Sequence, residues 1–338
     1  MTPFIMTPFK GLLTNLTAAV STTAAIALSP FILLQSPPPA KAAEYSQIYS
    51  FGDSLVDTGN AFSLTKSLLG TGIPPEPYFE GRLANGPLWN EYLADALNIP
   101  LTNFGFAGAR SGKEASNQLG APIPGLALPG LLSQLDDFTA NNAFVEPQAL
   151  YLVSSGANDY LSGGVRDPQK PVQDVTAALL ALSKAGAQNI VVANQPPLGD
   201  LPEATRLGLS DPLNQLSTAH NQGLAVAVEK LAASGLNVNL LDINALIRDA
   251  QAGKFGFENT TDACLLDLAC VTNPEVQATT LFWDDVHPTT RVHFLVAEAA
   301  LQQLDSHKVS TPEPGTLVGI MFLSGLAVSQ RKRKLAKA

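Results

Sequence analysis

The chain has 338 residues, 46% hydrophobic and 14% charged, with 26 Gly and 25 Pro, enough for one large domain with a substantial buried core. Residues 44–311 carry 13 Lys and Arg against 28 Asp and Glu, a net charge of −15, with no basic stripe interleaved with aromatics. So acidic a surface repels polyanions, which argues against a nucleic-acid partner.

Residues 1–43 contain no acid, an early Lys10, a long apolar stretch and then small residues with Pro before Ala40-Lys41-Ala42. This pattern predicts a secretory signal peptide, the alternative being an N-terminal membrane anchor. From 44 to about 306 no linker, repeat or low-complexity segment interrupts the chain, so one domain is expected. A first strand over 47–51 runs into FGDSLVDTGN, residues 51–60, with Ser54 one residue past Gly52-Asp53. A helix is expected over 87–97, then a strand over 101–106 leading into NFGFAGARSG, with Gly105 and Gly108. A helix over 131–139 precedes a third strand, 149–154, and the segment Ser154-Ser155-Gly156-Ala157-Asn158-Asp159.

Helix 172–184 stops at Gly186, strand 190–194 follows, and helix 214–233 stops at Gly235. After the fifth strand, 238–242, come the only two cysteines, Cys264 and Cys270. The sequence has no second cysteine pair for a metal site, and an exported chain favours a small disulfide loop there. FWDDVHPTT then precedes a last helix over 289–304. Short apolar strands alternating with longer helices, with little in/out alternation inside each strand, predict an α/β, doubly wound parallel sheet covered on both faces. Such sheets do their chemistry beyond the carboxyl ends of the strands.

Those strand ends carry what acyl transfer needs. A serine hydroxyl requires a base, and histidine is suited to take its proton near neutral pH. Of His220, His287, His293 and His307, only His287 falls in a loop just before a helix. Its imidazole needs an orienting carboxylate, and Asp284 and Asp285 are both close in sequence. A preset hole for the oxyanion can draw on the Ser54 backbone N–H, a glycine N–H from the second block and the Asn158 side-chain amide.

Together the four blocks make the sequence resemble an SGNH hydrolase of the GDSL lipase/esterase family. FGDSLVDTGN matches the nucleophile block, NFGFAGA the glycine block, SSGAND the Gly-x-Asn-Asp block and WDDVHP the Asp-x-x-His-Pro block, in family order over residues 51–288. The resemblance implies a flavodoxin-like five-stranded sheet of order 2-1-3-4-5. It also implies Ser54 as nucleophile and oxyanion donor, Gly108 and Asn158 as the other donors, His287 as base and Asp284 as its partner. Gly105 competes with Gly108 in the glycine block.

No G-x-S-x-G is present, which sets the chain apart from α/β-hydrolases. The implied function is an esterase or lipase working through an acyl-enzyme, with an ester (a lipid, a small ester or an acylated glycan) as substrate and no metal or cofactor. Polysaccharide deacetylation, or a non-catalytic surface or matrix role, is the alternative. Segments 74–86 and 118–129 are expected to rim the acyl pocket.

Residues 307–338 read as a tail. Pro312-Glu313-Pro314-Gly315 precedes an apolar run over 317–328 and the basic cluster Arg331-Lys332-Arg333-Lys334. Twelve helical residues span roughly 18 Å, short of the ~30 Å hydrocarbon core. The arrangement resembles a PEP-CTERM sorting tail of Gram-negative and cyanobacterial exported proteins. That resemblance implies secretion or display at the cell surface, transient membrane anchoring and processing by an exosortase-type enzyme; a plain C-terminal anchor is the other reading.

Overall fold

The computed structural model describes residues 44–113, 128–141 and 145–310, with side chains to residue 306. The expected leader, all of the expected tail beyond residue 310 and most of segment 118–129 lie outside the described residues.

Five parallel strands form the main sheet: β1 Ile48–Gly52, β2 Leu101–Asn103, β3 Leu150–Ser154, β4 Asn189–Ala193 and β5 Val238–Leu241. Their spatial order is β2-β1-β3-β4-β5, as the family resemblance implies, and every neighbouring pair is parallel. The helices are α1 Asn60–Leu69, α2 Trp89–Leu97, α3 Leu131–Asn141, α4 Ala157–Tyr160, α5 Gln169–Ala185, α6 Pro202–Arg206, α7 Ser210–Ala233, α8 Ile243–Gln251, α9 Leu268–Thr272, α10 Pro274–Ala278 and α11 Thr290–Ser310.

Both faces of the sheet are covered because alternate strand residues feed separate cores. Leu150 and Leu152 of β3 pack with Trp89 and Leu93 of α2, Ile247 of α8 and Val292 of α11. Tyr151 and Val153 pack with Leu135 and Phe138 of α3, Leu179 of α5 and Leu224 of α7. Every residue of β3 is buried, which explains why its sequence shows no polar alternation.

Several boundaries differ from expectation for local reasons. β2 ends at Asn103, although Phe104 and Phe106 still donate to the Ser50 and Gly52 carbonyls at 2.8 and 3.0 Å, because the Gly52 N–H is taken by the Gln134 side chain at 2.8 Å. α7 starts at Ser210, ahead of the expected 214, because Pro212 falls in the first turn, where its missing N–H costs nothing. α8 was not anticipated; the Asp242 carboxylate caps it, accepting the Ala245 N–H at 2.9 Å. A second, two-stranded parallel sheet pairs β6 Asn259–Ala263 with β7 Thr280–Phe282. β6 is polar and half-exposed, so hydrophobic patterning does not reveal it.

The carboxyl end of β1, held between β2 and β3, places the nucleophile block tightly. Gly52 pairs with Ser154 of β3, has φ +140°, and a Cβ there would lie 1.8 Å from the Ser154 carbonyl oxygen. Gly52→Ala must therefore strain the backbone and push β1 from β3. Its expected cost is about 2–5 kcal/mol, read as a fall in the urea midpoint at unchanged slope. A midpoint within error of the parent would refute this account of the glycine.

Candidate active site

The chain reverses its lateral direction between β1 and β3, and this switch point is where the four blocks meet. Beyond β1, the Asp53 N–H donates to the Ser154 carbonyl at 3.1 Å, and the Asp53 carbonyl accepts from Val56 and Asp57, both at 3.1 Å. That turn lifts Ser54 above the strand ends.

The segment between β7 and α11 folds back on itself. The Trp283 N–H donates to the His287 carbonyl at 2.8 Å, and the Thr289 hydroxyl to the Thr280 carbonyl at 2.8 Å. His287 consequently faces Ser54, with Nε2 at 2.9 Å from Oγ. On the other side of the ring, Nδ1 is 2.8 Å from Asp284 Oδ2 and 3.0 Å from Oδ1. Oδ1 also accepts the backbone N–H groups of Val286 at 2.8 Å and His287 at 2.6 Å. Asp285 points away: its Oδ2 accepts from Arg206 at 3.0 Å, and its carbonyl accepts the Glu203 N–H at 3.0 Å. Of the two aspartates, Asp284 is the one whose carboxylate meets the imidazole.

Electrostatics follow from this geometry. Burial disfavours the charged forms of both Asp284 and His287, but their mutual attraction and hydrogen bonds outweigh it. The Asp284 carboxyl is held well below the usual carboxylate range, and the His287 imidazole lies above the ordinary histidine value, with smaller contributions from Asp53 and Glu203. Burial pushes the Asp53 carboxyl up to about 7.

Of the two glycines in the second block, only Gly108 borders the cleft that holds Ser54, Asn158 and His287. It has φ +80°, a conformation that glycine adopts freely. Gly105 instead spends its N–H on Asn103 and packs against Val56. Asn158 sits in α4, and its Nδ2 donates one hydrogen to the Ala109 carbonyl at 3.0 Å, which orients the amide beside the glycine block.

Three further residues brace this arrangement, and the sequence reading gave them no role in it. The Asp57 carboxylate accepts the Ala107 N–H at 2.8 Å as well as N–H groups at the start of α1, tying the nucleophile block to the glycine block. The Asp159 carboxylate accepts the Ser111 N–H at 2.9 Å and its hydroxyl at 3.0 Å, tying the glycine block to α4. Tyr78, expected only as part of a rim loop, donates its hydroxyl to Asp284 Oδ2 at 2.8 Å and packs edge-on against Trp283. Asp57 and Asp159 stand inside the nucleophile and Gly-x-Asn-Asp blocks, where their position is a signal; Tyr78 lies 206 residues from Asp284, and no local pattern marks it.

Cys264 and Cys270 are joined by a disulfide with a Cα–Cα distance of 5.3 Å, and both pack against Trp283 beneath the His287 segment. Among the described residues, no group of three or more His, Cys, Asp or Glu side chains is arranged to hold a metal ion.

The sequence model of the GDSL-like Lipase/Acylhydrolase family matches residues 48–300, most of the chain. The phosphatidylcholine-sterol acyltransferase of Aeromonas hydrophila is 29% identical over 78% of this chain and 91% of its own length. The thermolabile hemolysin of Vibrio parahaemolyticus is 28% identical over 77% of this chain, which spans 64% of that protein. Among solved structures, a member of the lipolytic protein G-D-S-L family from Veillonella parvula aligns over 76% of this chain and 96% of its own, at 19% identity and a TM-score of 0.46. The match of the family model across the whole five-stranded domain means that this chain belongs to the GDSL-like lipase/acylhydrolase family of ester hydrolases.

Proposed function

We propose that the chain hydrolyses carboxylic esters through an acyl-enzyme on Ser54. The observation that carries this reading is the continuous hydrogen-bonded line from Ser54 Oγ through His287 to the Asp284 carboxylate. Ser54 Oγ attacks the ester carbonyl as its proton passes to His287 Nε2, and Asp284 holds the Nδ1–H tautomer that makes Nε2 the base. The tetrahedral oxyanion is received by the Ser54 and Gly108 backbone N–H groups and by the second amide hydrogen of Asn158. His287 returns the proton to the departing alcohol oxygen. It then takes a proton from water, which attacks the acyl carbonyl, and passes that proton to Ser54 Oγ as the acyl–oxygen bond breaks and the acid leaves.

A fluorophosphonate probe tests this directly, because the serine oxygen displaces fluoride from phosphorus only when a base activates it. The expected result is a single covalent adduct on the peptide bearing Ser54. No adduct, or one elsewhere, would sink the reading.

Export belongs to the same proposal. Its support is the acid-free apolar leader, the tail pattern and a disulfide, a bond that persists in oxidising compartments. No helix among the described residues is long and apolar enough to cross a membrane. The intact mass of the protein recovered from its native host should then match a chain starting near residue 43 and lacking the basic end. Full-length mass would contradict both cleavages.

A further inference from the structure

Two cavities of different size and lining flank the Ser54–His287 pair. One is an open cleft of about 410 Å³ that reaches Gly108, Tyr78, Asp284 and Glu203. The other is a narrow pocket of about 60 Å³ running from Ser54 and His287 into the domain. Its walls include Trp89 of α2, Ile243 and Ile247 of α8, Phe282 of β7 and Val292 and Val296 of α11, all buried. Ser54, Asn158 and His287 border both cavities, so the reacting carbon stands at their junction. Besides His287, the ionisable side chains lining the pocket are Asp53, next to the nucleophile, and His293. Burial lowers the His293 pKa to about 3, so this imidazole is neutral in the working range.

This inference rests on the acyl-enzyme reading above. The tetrahedral carbon on Ser54 carries an oxyanion, a leaving oxygen and the acyl substituent. The alcohol must depart past His287 and water must arrive by the same route, so that side needs space and access to solvent. The acyl substituent stays in place through both half-reactions and gains from leaving water. We infer that the buried pocket between α8 and α11 seats the acyl chain, that the open cleft takes the alcohol, and that the enzyme is selective for short acyl groups. The limit comes from volume. A cavity of about 150 Å³ is filled by a molecule the size of benzene, so a pocket of about 60 Å³ admits only about two to three non-hydrogen atoms. The loop over 74–86, expected to rim the acyl pocket, lines the larger cleft through Pro74, Pro75, Tyr78 and Leu83, and on this assignment it faces the alcohol.

The test is kcat/KM across 4-nitrophenyl esters from acetate to palmitate, for the parent and for two variants at the pocket wall. The parent should gain about fourfold per methylene up to propionate or butyrate, then fall at least tenfold by decanoate. Ile247→Ala should move the optimum two to three carbons longer, and Val296→Phe should move it to acetate, each checked for folding by circular dichroism. Two variants of opposite sign guard against one that fails to fold. A profile rising through palmitate, or an optimum unmoved by both substitutions, would overturn the acyl assignment while leaving the serine mechanism standing. No hydrolysis at any length, together with no fluorophosphonate adduct, would sink the mechanism and this inference with it.

Discussion

Ser54→Ala should lower kcat on 4-nitrophenyl butyrate by on the order of 10⁵-fold or more while leaving the fold intact. Loss of a serine nucleophile removes the covalent pathway altogether, and what remains is the modest assistance of the oxyanion donors and of binding. The fold should survive because the turn around Ser54 is held by its neighbours. Asp53 anchors it to β3 and accepts the Val56 and Asp57 N–H groups, and the Asp53 side chain accepts the Leu55 N–H at 3.1 Å. The lost hydroxyl bonds to His287, so the thermal midpoint should move by no more than about 3 °C. Stopped assays with both proteins at high concentration check the rate, and a melting curve checks the fold. Activity kept within tenfold of the parent would remove Ser54 from the mechanism.

The second large effect is expected for Asp284→Asn, about 10⁴-fold in kcat, and its cause is tautomeric. Asp284 Oδ1 accepts two backbone N–H groups, a position that suits the carbonyl oxygen of an asparagine. The substituted amide nitrogen must then occupy the place of Oδ2, facing His287 Nδ1 and the Tyr78 hydroxyl. An N–H donor there forces Nδ1 to accept, which puts the imidazole proton on Nε2 and leaves Ser54 without a base.

The pH profile should move as well. Hydrolysis needs neutral His287, so activity rises with pH through the His287 pKa. The groups facing the ring are Asp284, Asp53 and Glu203, which raise that pKa, and His293, held neutral by burial. Without the Asp284 charge, the largest raising influence is gone and burial prevails. The acid limb of kcat/KM, above the ordinary histidine value of about 6.5 in the parent, should therefore shift to lower pH in the residual activity. Asp285→Asn, which breaks an exposed ion pair with Arg206, should change kcat less than about threefold. A loss below tenfold for Asp284→Asn, or an unmoved acid limb, would show that another group orients the histidine.

What the sequence determined by itself is local chemistry and its order along the chain. Short apolar runs without alternation marked β3 and β4 most clearly, because a strand buried on both faces carries few polar residues, whereas β2 is the half-exposed triplet Leu-Thr-Asn. Each reactive block followed such a run, and turn residues at strand ends are visible without knowing where the strands go. Helix ends at Gly186 and before Gly235 were legible for the same reason, since they depend on a few adjacent residues.

Only the tertiary structure decided which of two equivalent neighbours meets a partner. Asp284 and Asp285 differ by one position, and the hairpin between β7 and α11 turns one toward His287 and the other toward α6. Gly105 and Gly108 stand three apart, and the exit of the chain from β2 commits the first to Asn103 and brings the second to the cleft. Tyr78 meets Asp284 across 206 residues, and the narrow pocket arises where α2, α8 and α11 converge on one face of the sheet. Such contacts depend on the relative placement of whole elements, set by burial summed over the entire core, and no short stretch of sequence contains that sum.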